Sequence, residues 1–201
     1  MGSTVGVKKE EKLVKIILSI IGCLFLIMLF CMLVMVGIVT VVNRPRGDRE
    51  EVLSGKGANP KKALIIYQPA LTNVTRQAAK QLADGLNAGG YEVTLNHPGN
   101  HLTVDLSGYD LVVFGSPTYA GQLTKALTQY MARGCPQLAK EGAEGPRVVL
   151  FATGGVDERQ EFDRLAELLS GVKVVREVKF LTGDKEYAAK AYALGAELAQ
   201  E

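Results

Sequence analysis

From Ile16 to Val42 the chain runs for 27 consecutive residues without a charged side chain, and no other feature limits its folding as much. As a helix at ~1.5 Å per residue, a run of that length reaches ~40 Å, more than the ~30 Å hydrocarbon core of a bilayer. A cleaved leader would have an apolar stretch of about 7 to 15 residues ending in small side chains. The sequence Gly37-Ile38-Val39-Thr40-Val41-Val42-Asn43 offers no such site. The reading is therefore a single-pass membrane protein in four parts: a charged tail over 1–15, a transmembrane helix over 16–42, a linker over 43–60 and one domain over 61–201.

The flanks of the span do not orient it. Lys8, Lys9, Lys12 and Lys15 precede it, while Arg44, Arg46, Arg49 and Lys56 follow, so the rule that positive charge stays inside leaves the domain's side of the membrane open. Met1-Gly2 begins like an acylation signal, but Gly6 stands where that signal needs Ser or Thr. Residues 43–60 mix both charges with Pro45, Gly47, Gly55, Gly57 and Pro60, which predicts a flexible linker spanning ~21–25 Å r.m.s..

Residues 61–201 carry 15 Lys and Arg against 16 Asp and Glu. A domain so nearly neutral, without a basic stripe or interleaved aromatics, lacks the electrostatic footprint of nucleic-acid binding. Cys23 and Cys31 lie in the apolar run and Cys135 alone lies in the domain, which excludes a disulfide framework or a cysteine metal site there. His97 and His101 are four apart, but Pro98 and Gly99 separate them and further metal ligands are missing.

Within the domain, apolar runs alternate with helical periodicity. Strands are expected over 63–67, 91–95, 111–114, 147–152 and 172–181, and helices over 74–86, 123–132, 159–169 and 185–198. Such alternation, with strands apolar on both faces, implies a parallel sheet covered by helices on both sides, a doubly wound α/β domain. Ligands of such sheets sit at the carboxyl ends of the strands, so three loops matter. Gln68 to Thr75 leads into a helix whose amino terminus could receive an anion, although Thr72 or Asn73 could equally cap it. Gly115 to Gly121 is rich in small residues, with Tyr119 able to stack on a planar ligand. Thr153-Gly154-Gly155 lets backbone amides approach a ligand closely, or else forms a turn with Asp157 capping the next helix.

The segment Asp110-Leu111-Val112-Val113-Phe114-Gly115-Ser116-Pro117-Thr118-Tyr119-Ala120-Gly121 resembles the strand and flavin-contacting loop of the flavodoxin family, and the likeness extends from Lys62 to about Ala199. It implies a five-stranded parallel sheet of order 2-1-3-4-5, bound FMN and electron transfer. By position, Thr72, Asn73 and Thr75 would belong to the phosphate loop, Ser116, Pro117, Thr118, Tyr119, Ala120 and Gly121 would line the isoalloxazine, and Thr153, Gly154 and Gly155 would form a third wall. No side chain is implied as a catalytic acid or base, and no metal.

The phosphate loop departs from the family pattern. Where the family has Ser or Thr, any residue, Thr, Gly, Asn and Thr, this chain has Ala70, Leu71, Thr72, Asn73, Val74 and Thr75. The implied function is that of a membrane-tethered FMN protein exchanging electrons with a redox partner protein or a small acceptor such as a quinone. The alternative is a cofactor-free domain of the same fold serving as an interaction or regulatory module at the membrane.

Overall fold

The computed structural model describes residues 3–201, with side chains from residue 12 onward except at residue 143. Met1-Gly2, weighed above as an acylation signal, lies outside them. The chain forms two compact units that divide between Val41 and Val42.

The first unit is a single helix, α1 (Ser3–Asn43), whose last two residues are counted with the second unit. The tail expected over 1–15 is helical from Ser3 onward and continuous with the apolar run. Every residue from 12 to 41 is exposed. The core helix of a soluble protein hides one face; α1 presents Leu, Ile, Phe and Met on all sides. The stretch Lys12–Asn43 is long and apolar enough to cross a membrane.

The second unit is a doubly wound α/β domain. Its elements are β1 (Glu51–Leu53), β2 (Lys62–Tyr67), α2 (Val74–Ala88), β3 (Glu92–Asn96), β4 (Leu111–Tyr119), β5 (Gln122–Leu123), α3 (Lys125–Glu141), β6 (Arg147–Gly154), α4 (Gln160–Asp163), β7 (Val174–Leu181) and α5 (Tyr187–Leu198). The sheet runs β1-β3-β2-β4-β6-β7, with β5 paired to β4 alone. The five expected strands are β2, β3, β4, β6 and β7, all parallel to one another and in the order 2-1-3-4-5. Two antiparallel additions make it seven-stranded: β1 on the outer edge of β3, and β5 closing a hairpin with β4.

Period-two alternation assigns each strand residue to a face. Ala63, Ile65, Val93, Leu111, Val113, Val149 and Phe151 pack on one side against Leu82 and Leu86 of α2 and Leu194 and Leu198 of α5. Leu64, Ile66, Val112, Phe114, Val148 and Leu150 pack on the other against Leu127, Met131 and Leu138 of α3 and against Phe162. Helices α2 and α5 cross at Gly85 and Gly195. A Cβ on Gly85 would overlap the Tyr192 carbonyl oxygen, and one on Gly195 the Leu82 carbonyl oxygen.

Several boundaries differ from expectation. The helix expected over 159–169 is four residues long, followed by turns. Strand β4 extends through the expected loop to Tyr119 because the hairpin with β5 prolongs its pairing. Cys135 is fully buried inside α3.

The largest correction concerns residues 43–60. Val42 is buried, and the Gln68 side-chain amide donates to the carbonyls of Val42 and Arg44, both at 3.2 Å. Asn43 Oδ1 accepts from the Lys125 N–H at 2.7 Å, and Asn96 Oδ1 accepts from the Arg49 N–H at 3.0 Å. The segment expected to be a flexible linker therefore crosses the carboxyl ends of β2 and β3 as a strap and then joins the sheet as β1.

Candidate functional site

Of two clefts at the carboxyl end of the sheet, the first follows from how β4 ends. Ala120 and Gly121, at φ of 49° and 67°, form the two-residue turn between β4 and β5. Positive φ at both positions is what a type I′ hairpin turn requires, and its twist matches that of the flanking strands. Beneath the turn, Ser116 Oγ accepts from the Thr124 N–H at 3.0 Å, which fixes the start of α3. Ser116, Pro117 and Thr124 are buried.

The first cleft, of ≈ 170 Å³, opens between this hairpin and the end of β6, with Thr118, Ala120, Gly121, Gly154 and Gly155 on its walls. Five of the expected site residues therefore meet in one place. A Cβ on Gly154 would stand 3.1 Å from Lys179 Cε, so the wall there is bare backbone. Glu161 and Lys179 form its floor: their side chains are each 1 % exposed and pair at 2.6 Å. Thr118 Oγ1 donates to Glu161 Oε1 at 3.2 Å, and Lys179 Nζ also donates to the Glu158 carbonyl at 2.6 Å. The other carboxylate oxygen, Oε2, is buried without a hydrogen-bond partner. A buried acceptor without a partner, on a residue lining a cleft walled by glycine, fits a planar ligand that carries an N–H on its edge.

The remaining expected residues divide between other places. Thr75 and Thr153 are buried, and their hydroxyls bond to each other at 2.6 Å, tying the first turn of α2 to the end of β6. Both hydroxyls are engaged in this bond in the packed layer and do not line either cleft. Thr72 and Asn73 are exposed and line the second cleft, of ≈ 460 Å³, with Arg46, Arg49, Arg76 and His97. Asn73 precedes α2 but makes no side-chain cap bond, so the capping alternative does not hold for it. Tyr119 is half-buried, and its hydroxyl accepts from the Leu71 N–H at 3.4 Å, joining the loop after β2 to the hairpin. Phe162 is buried in the core, whereas Val156 is exposed and lines the first cleft.

Burial governs the titration of the groups at the second cleft. Desolvation raises the Tyr67 hydroxyl above its ordinary value against the charge of Arg76, with Glu51 adding to the rise. Desolvation lowers His97 below the usual imidazole range, opposed by a hydrogen bond with the Gly47 backbone and reinforced by Arg49, Arg46 and Arg76. His97 is therefore neutral at pH 7. Among the described residues no group of three or more His, Cys, Asp or Glu side chains could hold a metal ion.

The sequence alone does not mark Glu161, Lys179, Arg46, Arg49, Arg76 or His97 as site residues. Glu161 and Lys179 are 18 positions apart and lie in a short helix and an edge strand, so no local pattern pairs them. Arg46 and Arg49 fall in the segment that reads as a linker.

Known proteins similar to the chain share this architecture. A flavodoxin-domain family model matches residues 65–189. A flavodoxin from the domain Archaea superposes with a TM-score of 0.56 at 16 % identity, covering 69 % of this chain and 96 % of its own. The two-electron reduced flavodoxin of Megasphaera elsdenii gives 0.57 at 19 %, covering 69 % and 99 %. Rubredoxin oxygen:oxidoreductase from the anaerobe Desulfovibrio gigas gives 0.57 at 18 %, covering 70 % of this chain but 36 % of its own. No curated protein sequence matches.

Proposed function

Because the chain belongs to the flavodoxin domain family, we propose that its domain binds FMN at the carboxyl end of the sheet and passes electrons at a membrane to which α1 tethers it. The observation that supports this most is the first cleft, where the hairpin and the end of β6 leave glycine walls and one unpartnered buried carboxylate oxygen. FMN, when bound, supplies reversible one- and two-electron chemistry.

The chain's own residues do the rest. Thr118, Gly121, Gly154 and Gly155 would hold the ring system between backbone walls. Glu161 Oε2 would accept from an N–H at the ring edge, with Oε1 held by Lys179. Tyr119, tied to Leu71, would hold the hairpin and the phosphate-side loop at a fixed separation. Thr72 and Asn73 would face the phosphate. The electron partner would be a protein of the same membrane or a small acceptor such as a quinone.

The full chain in detergent micelles, mixed with excess FMN and passed through a sizing column, is expected to co-elute with flavin absorbance and quenched flavin fluorescence. Free, fully fluorescent flavin would sink this reading and favour a cofactor-free interaction module. The departures at Ala70 and Val74 and the Thr75 hydroxyl turned to Thr153 support that second reading. NAD(P)H turnover with a quinone would distinguish a reductase from a carrier.

A further inference from the structure

The apolar run and the domain share a residue. Val42, the last of the 27 uncharged residues, is 3 % exposed and belongs to the compact unit of the domain. Its carbonyl and that of Arg44 accept from the Gln68 side-chain amide, and Asn43 Oδ1 accepts from the Lys125 N–H. Gln68 directly follows β2 and Lys125 opens α3, so both lie at the carboxyl end of the sheet. Asn96, the last residue of β3, holds the Arg49 N–H and donates through Nδ2 to Asp48 Oδ1 at 2.8 Å. No spacer therefore separates the run from the carboxyl ends of β2 and β3.

A helical run of ~40 Å centred in a bilayer of about 40–45 Å, headgroups included, ends in a headgroup layer. Covalent continuity at Val42 then sets how far the carboxyl end of the sheet can stand from lipid, whatever angle α1 takes. The amino end is not so constrained, because the six residues of β2, at ~3.3 Å each, place it about 20 Å from the join. The surface at the carboxyl end suits such a position. Leu71, in the loop after β2, and Val156, in the loop after β6, are large apolar side chains left exposed. Val52 on β1 and Tyr192 on α5 are the others that the domain exposes. Arg44 and Lys125, at the join itself, are exposed as well. Apolar side chains beside long-stemmed cations are what a headgroup layer accommodates, the stems lying along apolar surface and the charges reaching water.

We propose that the carboxyl end of the sheet docks on the lipid surface, with Leu71 and Val156 in the headgroup layer. The strap is then a clamp that keeps this end of the domain down, and whatever enters the two clefts arrives along the membrane plane. The inference rests on α1 being a membrane span, as the proposed function has it, and is independent of the flavin.

The test uses the full chain in lipid nanodiscs, carrying one environment-sensitive fluorophore at a time. Cys135 is buried, so in Cys23→Ser the label goes to Cys31 of the span. In Cys23→Ser/Cys31→Ser it goes to an added cysteine: Leu71→Cys or Val156→Cys at the carboxyl end, Gly108→Cys or Glu144→Cys at the amino end. All four positions are exposed, and a Cβ on Gly108 meets nothing within 4 Å. The Cys31 label is expected to lose intensity to lipids brominated deep in their acyl chains. Labels at 71 and 156 are expected to shift to the blue and to lose intensity to lipids brominated near the headgroup. Those at 108 and 144 should keep aqueous emission and respond only to iodide in the buffer. Two sites at each end, with unchanged circular dichroism, keep one misfolded variant from deciding the outcome. Equal responses at the two ends, or a stronger lipid response at 108 and 144, overturn the docking while a quenched Cys31 label leaves the span standing. An unquenched Cys31 label sinks the span and the docking with it.

Discussion

The two clefts lie at the same end of one sheet yet are built on opposite electrostatic terms. The first balances its charge internally: Glu161 and Lys179 on its floor neutralise each other, leaving a single buried acceptor oxygen without a partner. The second gathers three arginines with no carboxylate paired to them among the described residues. A balanced, glycine-walled cleft favours a flat neutral ring, and an unbalanced one favours an anion. The structure separates the part that comes with the sheet from the part added by the strap.

Breaking the balance of the first cleft should have the largest effect. Lys179→Met leaves Glu161 buried and unpaired, and a loss of about 3–5 kcal/mol of stability is expected in urea unfolding of the full chain in micelles. The double change Lys179→Met with Glu161→Leu should recover most of it, because neither charge is then stranded. No recovery would mean that the pair serves something other than mutual neutralisation.

Next comes the bond between Thr75 and Thr153, which sets α2 against β6 between the clefts. Thr75→Val leaves the Thr153 hydroxyl buried without its partner, at a cost of about 1–3 kcal/mol. If the two hydroxyls instead help to hold a ligand, the variant would unfold like the wild type but bind FMN more weakly.

His97 gives the second cleft a pH signature. Its folded pKa lies below the unfolded value of ~6.5, so the unfolded chain takes up the proton first. Stability is then full above pH ~6.5 and falls as pH drops below it, until the folded state also protonates. Comparing urea midpoints at pH 7.5 and 5.5 should show this loss in the wild type and a smaller one in His97→Gln. A bound phosphate would lessen the loss by favouring the imidazolium.

Tyr119→Phe should have the smallest effect, within about 0.5 kcal/mol, because the bond from the Leu71 N–H is long at 3.4 Å. A larger loss would show that the hairpin depends on this tie more than its length implies.

What can be read in the sequence is set by local periodicity. The apolar runs Ala63 to Tyr67 and Arg147 to Ala152 record burial on two faces, and they place the parallel sheet; its strand order follows from the family resemblance instead. The loops after β2, β4 and β6 can be located for the same reason. Their internal chemistry cannot. Thr75 and Ser116 look like ligand hydroxyls in a linear motif, but one pairs with Thr153, 78 positions away, and the other with Thr124. The strap reads as a linker because Pro45, Gly47 and mixed charges suggest one, whereas its anchors, Gln68 and Asn96, lie 24 and 47 positions off. Arg46 and Arg49 are hidden with it.

The strap also decides where the domain can be cut. A fragment beginning at Lys61, the boundary that composition suggests, would lose β1 and leave Glu92–Asn96 as an open sheet edge, an invitation to edge-to-edge self-association. It would also strip Gln68 and Asn96 of their backbone partners and remove two of the three arginines. A fragment beginning at Val42 keeps all of these, so the aggregation of a soluble form, or its freedom from it, turns on a stretch from Val42 to Pro60 that looks dispensable.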